Sequence, residues 1–147
     1  QHIFLNGRDV SADIRREVVS VGASDVAVIP EVRKKLVALQ RAMAQKDNII
    51  MDGRDICAYV LPDAQVKIFL TASSYARAKR RYKELVEKGQ DVDYDSILAD
   101  IEQRDYQDSH REIAPLKQAD DAVLVDTTEL TLSESIDYMI KVIKERL

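Results

Sequence analysis

Two stretches of this sequence combine residue types that could bind an anion or a polar ligand. The first is Asp52-Gly53-Arg54-Asp55, which follows a short apolar run at residues 48–51. Glycine lets the backbone turn sharply, so that two carboxylates and a guanidinium are presented together. Arg54 could hold a phosphate with two parallel hydrogen bonds, and Asp55 could accept hydrogen bonds from an amine or a hydroxyl. The same four residues would also suit a surface loop with one ion pair, so this motif alone does not decide a function.

The second stretch is a charged helix in which basic residues outnumber acidic ones. Arg77 and Arg81 are four residues apart and Arg80 is three from Arg77, so the three guanidinium groups share one helix face. Like charges placed this closely repel one another unless an anion lies among them, and phosphate suits guanidinium groups well. A solvated helix face is the plain alternative. The next helix carries Arg104 and Arg111, and the two helices together would make a charged hairpin able to move over a ligand.

Two other reactive side chains are predicted to have structural roles. His110 has no carboxylate or nucleophile at a supporting spacing, and it is expected to be a surface residue. Cys57 is the single cysteine, so it cannot form an internal disulfide, and it is expected to pack in a buried or half-buried position. Two histidines and one thiol make a poor set of metal ligands, and no metal site is predicted.

The order of apolar runs and helical patterns predicts an α/β domain. Short continuous apolar runs alternate with helices, as in a parallel sheet that is covered on both faces. Ligands of such sheets bind beyond the carboxyl ends of the strands, where residues 52–55 would lie. The predicted strands are residues 48–51, 66–70 and 122–125, and the predicted helices are residues 30–45, 74–88, 95–111 and 133–147.

Local signals refine these elements. Asn6-Gly7 predicts a turn after a short strand, and Ser11 is a candidate cap for a short helix. Ser73 or Ser74 is a candidate cap for the basic helix, and Gly89 would end it. Apolar spacing predicts that one face of the helix at 30–45 and one face of the closing helix are buried. These faces are Val32, Leu36, Leu39 and Met43 in the first, and Ile136, Met139, Ile140 and Ile143 in the second.

Composition bounds the class of protein. With 147 residues, 46% of them hydrophobic and 33% charged, the chain can bury the core of one domain. No apolar run approaches the roughly 20 residues that a membrane span needs, and a net charge of −4 argues against general nucleic-acid binding. The use of one cysteine fits a reducing, cytoplasmic location.

Read in chain order, several stretches resemble the bacterial-type cytidylate (CMP) kinase family over essentially the whole chain. Residues 52–56, with Leu61-Pro62-Asp63-Ala64, are similar to the most characteristic signature of that family. Where the family usually continues its signature with Gly-Thr, this chain has Cys57-Ala58. The other matching stretches are residues 7–11, 14–15, 23–27 and 30–33 for the monophosphate-binding region, 67–73 and 77–81 for the entry into the lid, and 104–116 for its return.

The resemblance implies a parallel-sheet nucleoside-monophosphate kinase (P-loop kinase) fold with a helical lid, truncated at the N-terminus. It divides the chain into a monophosphate-binding region at 1–47 and core strands with the Asp-Gly-Arg-Asp signature at 48–73. A helical lid region would follow at 74–113, and a C-terminal strand and helix at 114–147.

The resemblance also implies transfer of the γ-phosphoryl group of ATP to CMP or dCMP, with Mg²⁺. Ser24 and Arg54 would face the base, while Asp55 and Asp108 would suit sugar hydroxyls. Arg33 and Arg111 would contact the monophosphate or the sugar. The remaining predicted set is catalytic and would close over the transferring phosphates; it consists of Arg77, Arg80, Arg81 and Arg104.

The ATP-binding loop of the family is not found in this sequence. A phosphate-binding loop needs the pattern G-x-x-x-x-G-K, and none of the four glycines is spaced for it. We therefore expect a longer natural protein, an exposed gap in the sheet and little catalysis by this chain alone. The full-length family is expected to be monomeric, whereas the fragment could self-associate.

Two alternatives to a kinase remain at this stage. A non-catalytic CMP-binding module would keep the monophosphate site without ATP chemistry. An interaction of the basic helix with nucleic acid would be salt-sensitive, and the acidity of the whole chain disfavours it.

Overall fold

A computed structural model describes residues 2–27 and 29–147, apart from the side chains of Glu17, Ser20 and Ser24. The chain forms two compact units, one up to Ile49 and one from Ile50 to Leu147. None of the described helices is both long enough and apolar enough to cross a membrane.

The N-terminal unit opens with a β-hairpin. Strand β1 (Phe4–Leu5) pairs antiparallel with strand β2 (Arg8–Asp9). Asn6 and Gly7, between them, both have positive φ angles, 52° and 80°. A two-residue loop with two positive φ angles matches the right-handed twist of a hairpin, and Asn-Gly is the sequence that adopts it most readily. The predicted turn is confirmed.

Ser11 closes the hairpin, and the prediction that it caps a helix is wrong. Its hydroxyl donates to Oδ1 of Asp9 at 2.6 Å and accepts from the backbone N–H of Ile3 at 2.8 Å. A short 3₁₀ helix at Asp13–Arg15 has Ala12 at its cap position. The Ser11 hydroxyl is already used by the hairpin, so it is not the cap of that helix.

Two helices complete this unit, α1 (Glu17–Ala27) and α2 (Pro30–Ala44). Pro30 occupies the first turn of α2, where the missing N–H costs nothing. The predicted burial of its apolar face is wrong, because Leu36, Leu39 and Met43 are exposed and only Val37 is buried. Within this unit α1 is the main neighbour of α2, and one neighbouring helix does not cover a stripe of that length.

The C-terminal unit is built on two parallel strands. Strand β3 (Ile68–Thr71) pairs with strand β4 (Val123–Asp126), with Ile68 opposite Val123 and Thr71 opposite Asp126. The strands predicted at 66–70 and 122–125 are confirmed, and so is the α/β class. The helices of this unit are α3 (Ser74–Glu87), α4 (Tyr94–His110) and α5 (Leu132–Arg146).

The strand predicted at residues 48–51 does not form. These residues have no regular structure and pair with no described strand. Ile50 is 97% exposed. A strand needs a neighbour to bond its backbone N–H and C=O groups, and the described part of the chain provides none at this segment.

The core of the C-terminal unit consists mainly of small and β-branched residues. Val60, Ala78 and Val125 are almost fully buried. Helix α5 faces the core with Ser135 and Val142, which are seven residues apart and therefore lie on one side of the helix.

The predicted inner face of α5 is in part wrong. Ile136 and Ile140 are exposed, while Met139 and Ile143 are half-buried. Apolar spacing identifies a stripe, but which part of the stripe is covered depends on how the helix packs on β4.

The ends of α3 follow the sequence signals. Ser73 is the cap, and its hydroxyl accepts from the N–H of Ala76 at 3.2 Å. Gly89, with a φ angle of 75°, follows the helix, and the next N–H, of Gln90, returns to the carbonyl of Leu85 at 3.0 Å. A left-handed glycine with this returning bond is a common helix stop, so both predictions are confirmed.

Helix α5 begins with a reciprocal cap. The carboxylate of Glu134 accepts from the N–H of Thr131 at 2.8 Å and from its hydroxyl at 2.7 Å, and the N–H of Glu134 donates to that hydroxyl oxygen at 3.3 Å. Two backbone N–H groups that have no partner within the helix are satisfied in this way. These bonds hold the pKa of Glu134 below its ordinary value.

Replacing the cap residue should destabilise the fold. Thr131→Ala removes the acceptor for the N–H of Glu134 and should lower the free energy of unfolding by about 1 kcal/mol. Urea unfolding followed by circular dichroism measures the change. Ser133→Ala, two residues further on, is the matched control and should change stability little; equal losses in the two variants would contradict the role of the cap.

The same cap should make stability depend on pH. Because the folded pKa of Glu134 is lowered, the unfolded chain binds more protons, and stability is present above the ordinary glutamate value of about 4.3 and is lost as the pH falls through the folded value. Asp9, Glu84, Asp121 and Asp126 have lowered pKa values as well and act in the same direction. Unfolding in urea between pH 3 and 7 should show a smaller loss on acidification for Glu134→Gln than for the parent chain. An unchanged slope would contradict the assignment.

Candidate functional site

Four of the predicted site residues meet where the segment around Gly53 approaches the C-terminal end of α4. Nε of Arg54 donates to Oδ2 of Asp108 at 2.8 Å. Nη2 of Arg111 lies 3.9 Å from Oδ1 of Asp55, and Nη1 of Arg111 lies 4.0 Å from Oδ1 of Asp108. We refer to Arg54, Asp55, Asp108 and Arg111 as the Arg111 cluster.

Gly53 allows the turn that carries Arg54 and Asp55. A Cβ atom at position 53 would lie 2.8 Å from Cγ1 and 3.1 Å from Cδ1 of Ile56. Since real Cβ contacts are not this short and Ile56 is buried, any larger residue would push the turn away from the core. The glycine of the signature is therefore required by a close approach to a packed side chain.

The turn leads into one turn of π-helix, Ile56–Val60. The carbonyl of Asp55 accepts from the N–H groups of Tyr59 at 2.8 Å and Val60 at 3.2 Å. Val60 is almost fully buried, so it fixes this turn against the core. Single π-helical turns are rare and often occur at functional sites, and here the turn begins directly after the Asp55 side chain.

The other half of the cluster is held by the loop that ends α4. Nε of Arg111 donates to the carbonyl of Ala114 at 2.6 Å, and the N–H of Leu116 donates to the carbonyl of Asp108 at 2.7 Å. Ala114 has a φ angle of 48°, a left-handed conformation that is unfavourable for a residue with a Cβ atom. Such strained residues persist where the surroundings fix them, and they are frequent near binding sites.

Three of the four side chains of the Arg111 cluster are shielded from solvent, and the cluster is balanced in charge. The side chains of Asp55, Asp108 and Arg111 are 14%, 18% and 21% exposed, and that of Arg54 is 48% exposed. Two guanidinium groups face two carboxylates, so the formal charges cancel. A neutral, shielded group of strong donors and acceptors favours a polar ligand with hydroxyl and amine groups over an isolated anion.

One donor of the cluster has no hydrogen-bond partner among the described residues. Nη2 of Arg111 is buried and makes no hydrogen bond with any described residue. A buried polar atom without a partner is costly, and in native proteins it is usually satisfied by water or a ligand. An acceptor atom supplied from outside would complete this site.

Arg77 and Arg80, from the predicted lid set, bind the protein itself. Arg77 forms a two-bonded pair with the carboxylate of Asp105 on α4, and its Nε donates to the carbonyl of Ala72 at 3.0 Å. Arg80 donates to the carbonyls of Thr127 and Leu130, in the loop after β4. These two arginines fix the base of the α3–α4 hairpin.

The other two arginines of that set are more accessible. Arg81 pairs with Glu84, one turn along α3, at 3.0 Å. Arg104 is exposed and has no hydrogen bond or ion pair within the described part of the chain. The guanidinium groups of Arg77, Arg80 and Arg81 share a helix face but do not converge on one point, because each one reaches a different partner.

Two predicted residues belong to the N-terminal unit. Arg33 is half-buried in the first turn of α2. Ser24 lies in α1, and its side chain is outside the described residues. His110 is exposed as predicted and stacks on Tyr106 with 4.0 Å between ring centroids. Cys57 is free and half-buried, also as predicted.

Sequence reasoning missed two charged residues that shape this region. The sequence does not reveal that Asp105 pairs with Arg77, because residue spacing along one helix says nothing about a partner on another helix. Lys67 is buried, and the signal available was a lysine within the apolar run 66–70. Within the described residues, no group of three or more His, Cys, Asp or Glu side chains could hold a metal ion.

Comparison with known proteins gives one consistent result. The family model described as cytidylate kinase matches residues 1–145. The chain is 51% identical over 146 residues to the cytidylate kinase of Lactobacillus johnsonii and 52% identical over 141 residues to that of Caldicellulosiruptor saccharolyticus. It is 50% identical over 145 residues to the cytidylate kinase of Thermosipho melanesiensis.

The alignments cover almost all of this chain but only part of each relative. The alignments include 99%, 96% and 99% of this chain but 64%, 62% and 67% of the respective relatives. The chain therefore spans about 64% of the length of the Lactobacillus johnsonii protein.

The strain at Ala114 leads to a stability prediction of unusual sign. Ala114→Gly should raise the free energy of unfolding by about 0.5–1 kcal/mol, because glycine adopts a left-handed conformation without the Cβ penalty. Ala99→Gly, on the exposed side of α4, should lower it by about 1 kcal/mol. Urea unfolding of both variants tests this, and a loss of stability in Ala114→Gly would contradict the backbone conformation described.

Proposed function

Because the chain belongs to the cytidylate kinase family, we propose that it is part of a protein that transfers the γ-phosphoryl group of ATP to CMP or dCMP. In this proposal the chain supplies the monophosphate site and the helical lid. The observation that carries the proposal is the buried Nη2 of Arg111, which makes no hydrogen bond with any described residue and lies 3.9 Å from Oδ1 of Asp55.

The Arg111 cluster is suited to the nucleoside part of the substrate. A monophosphate brings negative charge, and adding it to a cluster that is already neutral would leave an excess of anions. Sugar hydroxyls and the cytosine amine are donors that carboxylates accept well, so Asp55 and Asp108 would bind hydroxyl groups. The free donor of Arg111 would bind an oxygen of the sugar or of the phosphate, and Arg54 would reach the base.

Arg33 and Ser24 belong to the N-terminal unit, and the family resemblance alone suggests them as contacts of a phosphate and of a cytosine base, respectively. A guanidinium can form two parallel bonds to phosphate oxygens, which fixes orientation as well as charge. Orientation matters because phosphoryl transfer depends on the alignment of attacking and leaving oxygens and needs little covalent help from the protein.

The lid arginines would divide into two pairs. Arg77 and Arg80 already bind the protein and would keep the base of the hairpin rigid. Arg81 has only an exposed ion pair with Glu84, which costs little to break, and Arg104 has no described partner. These two would turn toward the transferring phosphates and exclude water as the hairpin closes.

The binding of ATP needs groups that this chain does not provide. Its sequence contains no G-x-x-x-x-G-K loop, and no group of three or more His, Cys, Asp or Glu side chains among its described residues could hold a metal ion. ATP as co-substrate, with Mg²⁺, would supply the phosphoryl group in the whole protein, and we expect no efficient turnover by this chain alone.

Calorimetric titration of the chain with CMP tests the proposed site. CMP should bind more tightly than AMP, and Arg111→Met should weaken binding at least about tenfold, the loss of one charge-assisted hydrogen bond. Arg146→Met, which removes an exposed arginine at the end of α5, should leave the affinity unchanged.

Circular dichroism of each variant must first show the folded spectrum. Equal affinity for AMP and CMP would contradict the base-specific part of the proposal. A folded parent chain that binds neither nucleotide would contradict the site itself.

A further inference from the structure

A buried lysine lies between two loops of the C-terminal unit, at the start of β3. The Lys67 side chain is 7% exposed, and its ammonium donates to the carbonyl of Pro62 and to Oδ2 of Asp121. Asp121 itself is 62% exposed, so the pair has one buried and one solvated member. Nothing in the chemistry proposed above uses this lysine.

Packing alone does not account for a charge at this position. Taking an ammonium out of water is costly, and an apolar residue of similar volume in place of a buried ion pair is often neutral or stabilising. The run 66–70 is otherwise apolar or aromatic, so an apolar residue would suit its strand pattern. The ammonium does what an apolar side chain cannot, because it bonds two acceptors on separate loops.

Lys67 connects three segments at one point. Its backbone carbonyl accepts from the N–H of Val123 at 2.9 Å, which begins the ladder between β3 and β4. Its side chain binds the turn at Pro62 on one side and the turn at Asp121 on the other. The bond between Lys67 and Asp121 also holds the pKa of Asp121 below its ordinary value.

The turn at Pro62 is continuous with the Arg111 cluster through the π-helix. The N–H of Leu61 donates to the carbonyl of Ile56 at 2.7 Å, and the N–H of Tyr59 donates to the carbonyl of Asp55 at 2.8 Å. Asp55 thus lies at the N-terminal end of the π-helix, and the turn bound by Lys67 follows its C-terminal end. A displacement of the Pro62 turn would pass along these bonds to Asp55.

Other contacts of this π-helix include a weak bond and apolar packing. Cys57 makes a weak bond from its thiol to the carbonyl of Ile68 at 3.9 Å, and a thiol is a poor donor. Buried Ile56 and Val60 hold the turn by packing, which fixes its depth more than its position along the sheet. The ammonium adds a charged, directional bond to the carbonyl of Pro62, in the turn that follows the π-helix.

We propose that Lys67 is a positioning residue for nucleotide binding, whose buried ammonium fixes the Pro62 turn and, through the π-helix, the Asp55 carboxylate of the Arg111 cluster. The effect on binding rests on the proposed function, because it requires that Asp55 contacts CMP. The effect on the order of the π-helix does not, and the two can be measured separately.

The test uses the whole chain and four variants. Lys67→Met keeps the apolar stem and removes both bonds, while Asp121→Asn removes the charge from only one acceptor. Val142→Ala, in the core beneath α5, is a control for lost stability, and Lys117→Met removes an exposed lysine. Each protein is titrated with CMP in the calorimeter, and amide hydrogen exchange is measured at residues 59–61 under native conditions.

Lys67→Met should weaken CMP binding about tenfold, since small displacements of a binding group have effects of this size. It should also raise the exchange rates of residues 59–61 relative to the amides of β3 and β4. Asp121→Asn should show smaller changes of the same kind, and Lys117→Met none. Val142→Ala should lose stability but keep both its CMP affinity and the relative protection of residues 59–61.

The inference is overturned if Lys67→Met binds CMP within twofold of the parent and leaves exchange at 59–61 unchanged. It is also overturned if Val142→Ala, at equal stability, shows the same losses. If the parent chain does not bind CMP, the proposed function fails and the exchange measurement alone decides the structural role of Lys67. If Lys67→Met does not fold, unchanged exchange at 59–61 in Asp121→Asn overturns the inference.

Discussion

The four-residue parallel ladder between β3 and β4 holds together parts of the C-terminal unit that are far apart in the chain. At its carboxyl end, the carbonyl of Thr71 accepts from both the N–H and the hydroxyl of Thr127, at 2.8 and 3.0 Å, and the N–H of Ser73 donates to the hydroxyl oxygen of Thr128 at 2.9 Å. Helices α3 and α5 therefore both begin near the carboxyl ends of these strands. Because β3 and β4 are parallel, the chain between them, which includes the α3–α4 hairpin, leaves the carboxyl end of β3 and returns to the amino end of β4. The C-terminal end of α4 meets the turn at Gly53, where Arg54 donates to Asp108 within the Arg111 cluster.

The positively charged residues of this unit have two different roles: some bind other parts of the protein, and Arg111 offers a donor to a ligand. Arg77 and Arg80 donate to Asp105 and to backbone carbonyls, and the ammonium of Lys67 donates to acceptors on two loops. These contacts hold the α3–α4 hairpin firmly to the two-stranded sheet, which alone would give it little support. Arg111, by contrast, keeps one buried donor, Nη2, that makes no hydrogen bond with any described residue. A rigid support, with a buried donor beside the Asp55 carboxylate that makes no hydrogen bond with any described residue, is the arrangement expected of a preformed site for a polar ligand.

Sequence reasoning succeeded where the cause is local. The positive φ angles at Asn6 and Gly7, the Ser73 cap and the stop at Gly89 each depend on a few neighbouring residues, and all were predictable. The predictions of burial and pairing failed because their causes are not local. Residues 48–51 have the composition of a strand but no described neighbour to pair with, and the exposed Leu39 and Ile136 lie on stripes that neighbouring elements cover only in part. For the site, the motif indicated Arg54 and Asp55, whereas the pairing of Arg77 with Asp105 and the burial of Lys67 could be seen only in three dimensions.

The central claim is that the open donor of Arg111 is a contact for the nucleotide. Nitrogen-15 NMR of the arginine side chains, with the Arg111 signal assigned through Arg111→Lys, tests it most directly during addition of CMP. The account predicts that the Arg111 guanidinium signal shifts and saturates with CMP, at the concentration at which calorimetry shows binding, and that AMP produces less change at equal concentration. Saturable binding of CMP that leaves the Arg111 signal unmoved would place the nucleotide elsewhere and contradict the account.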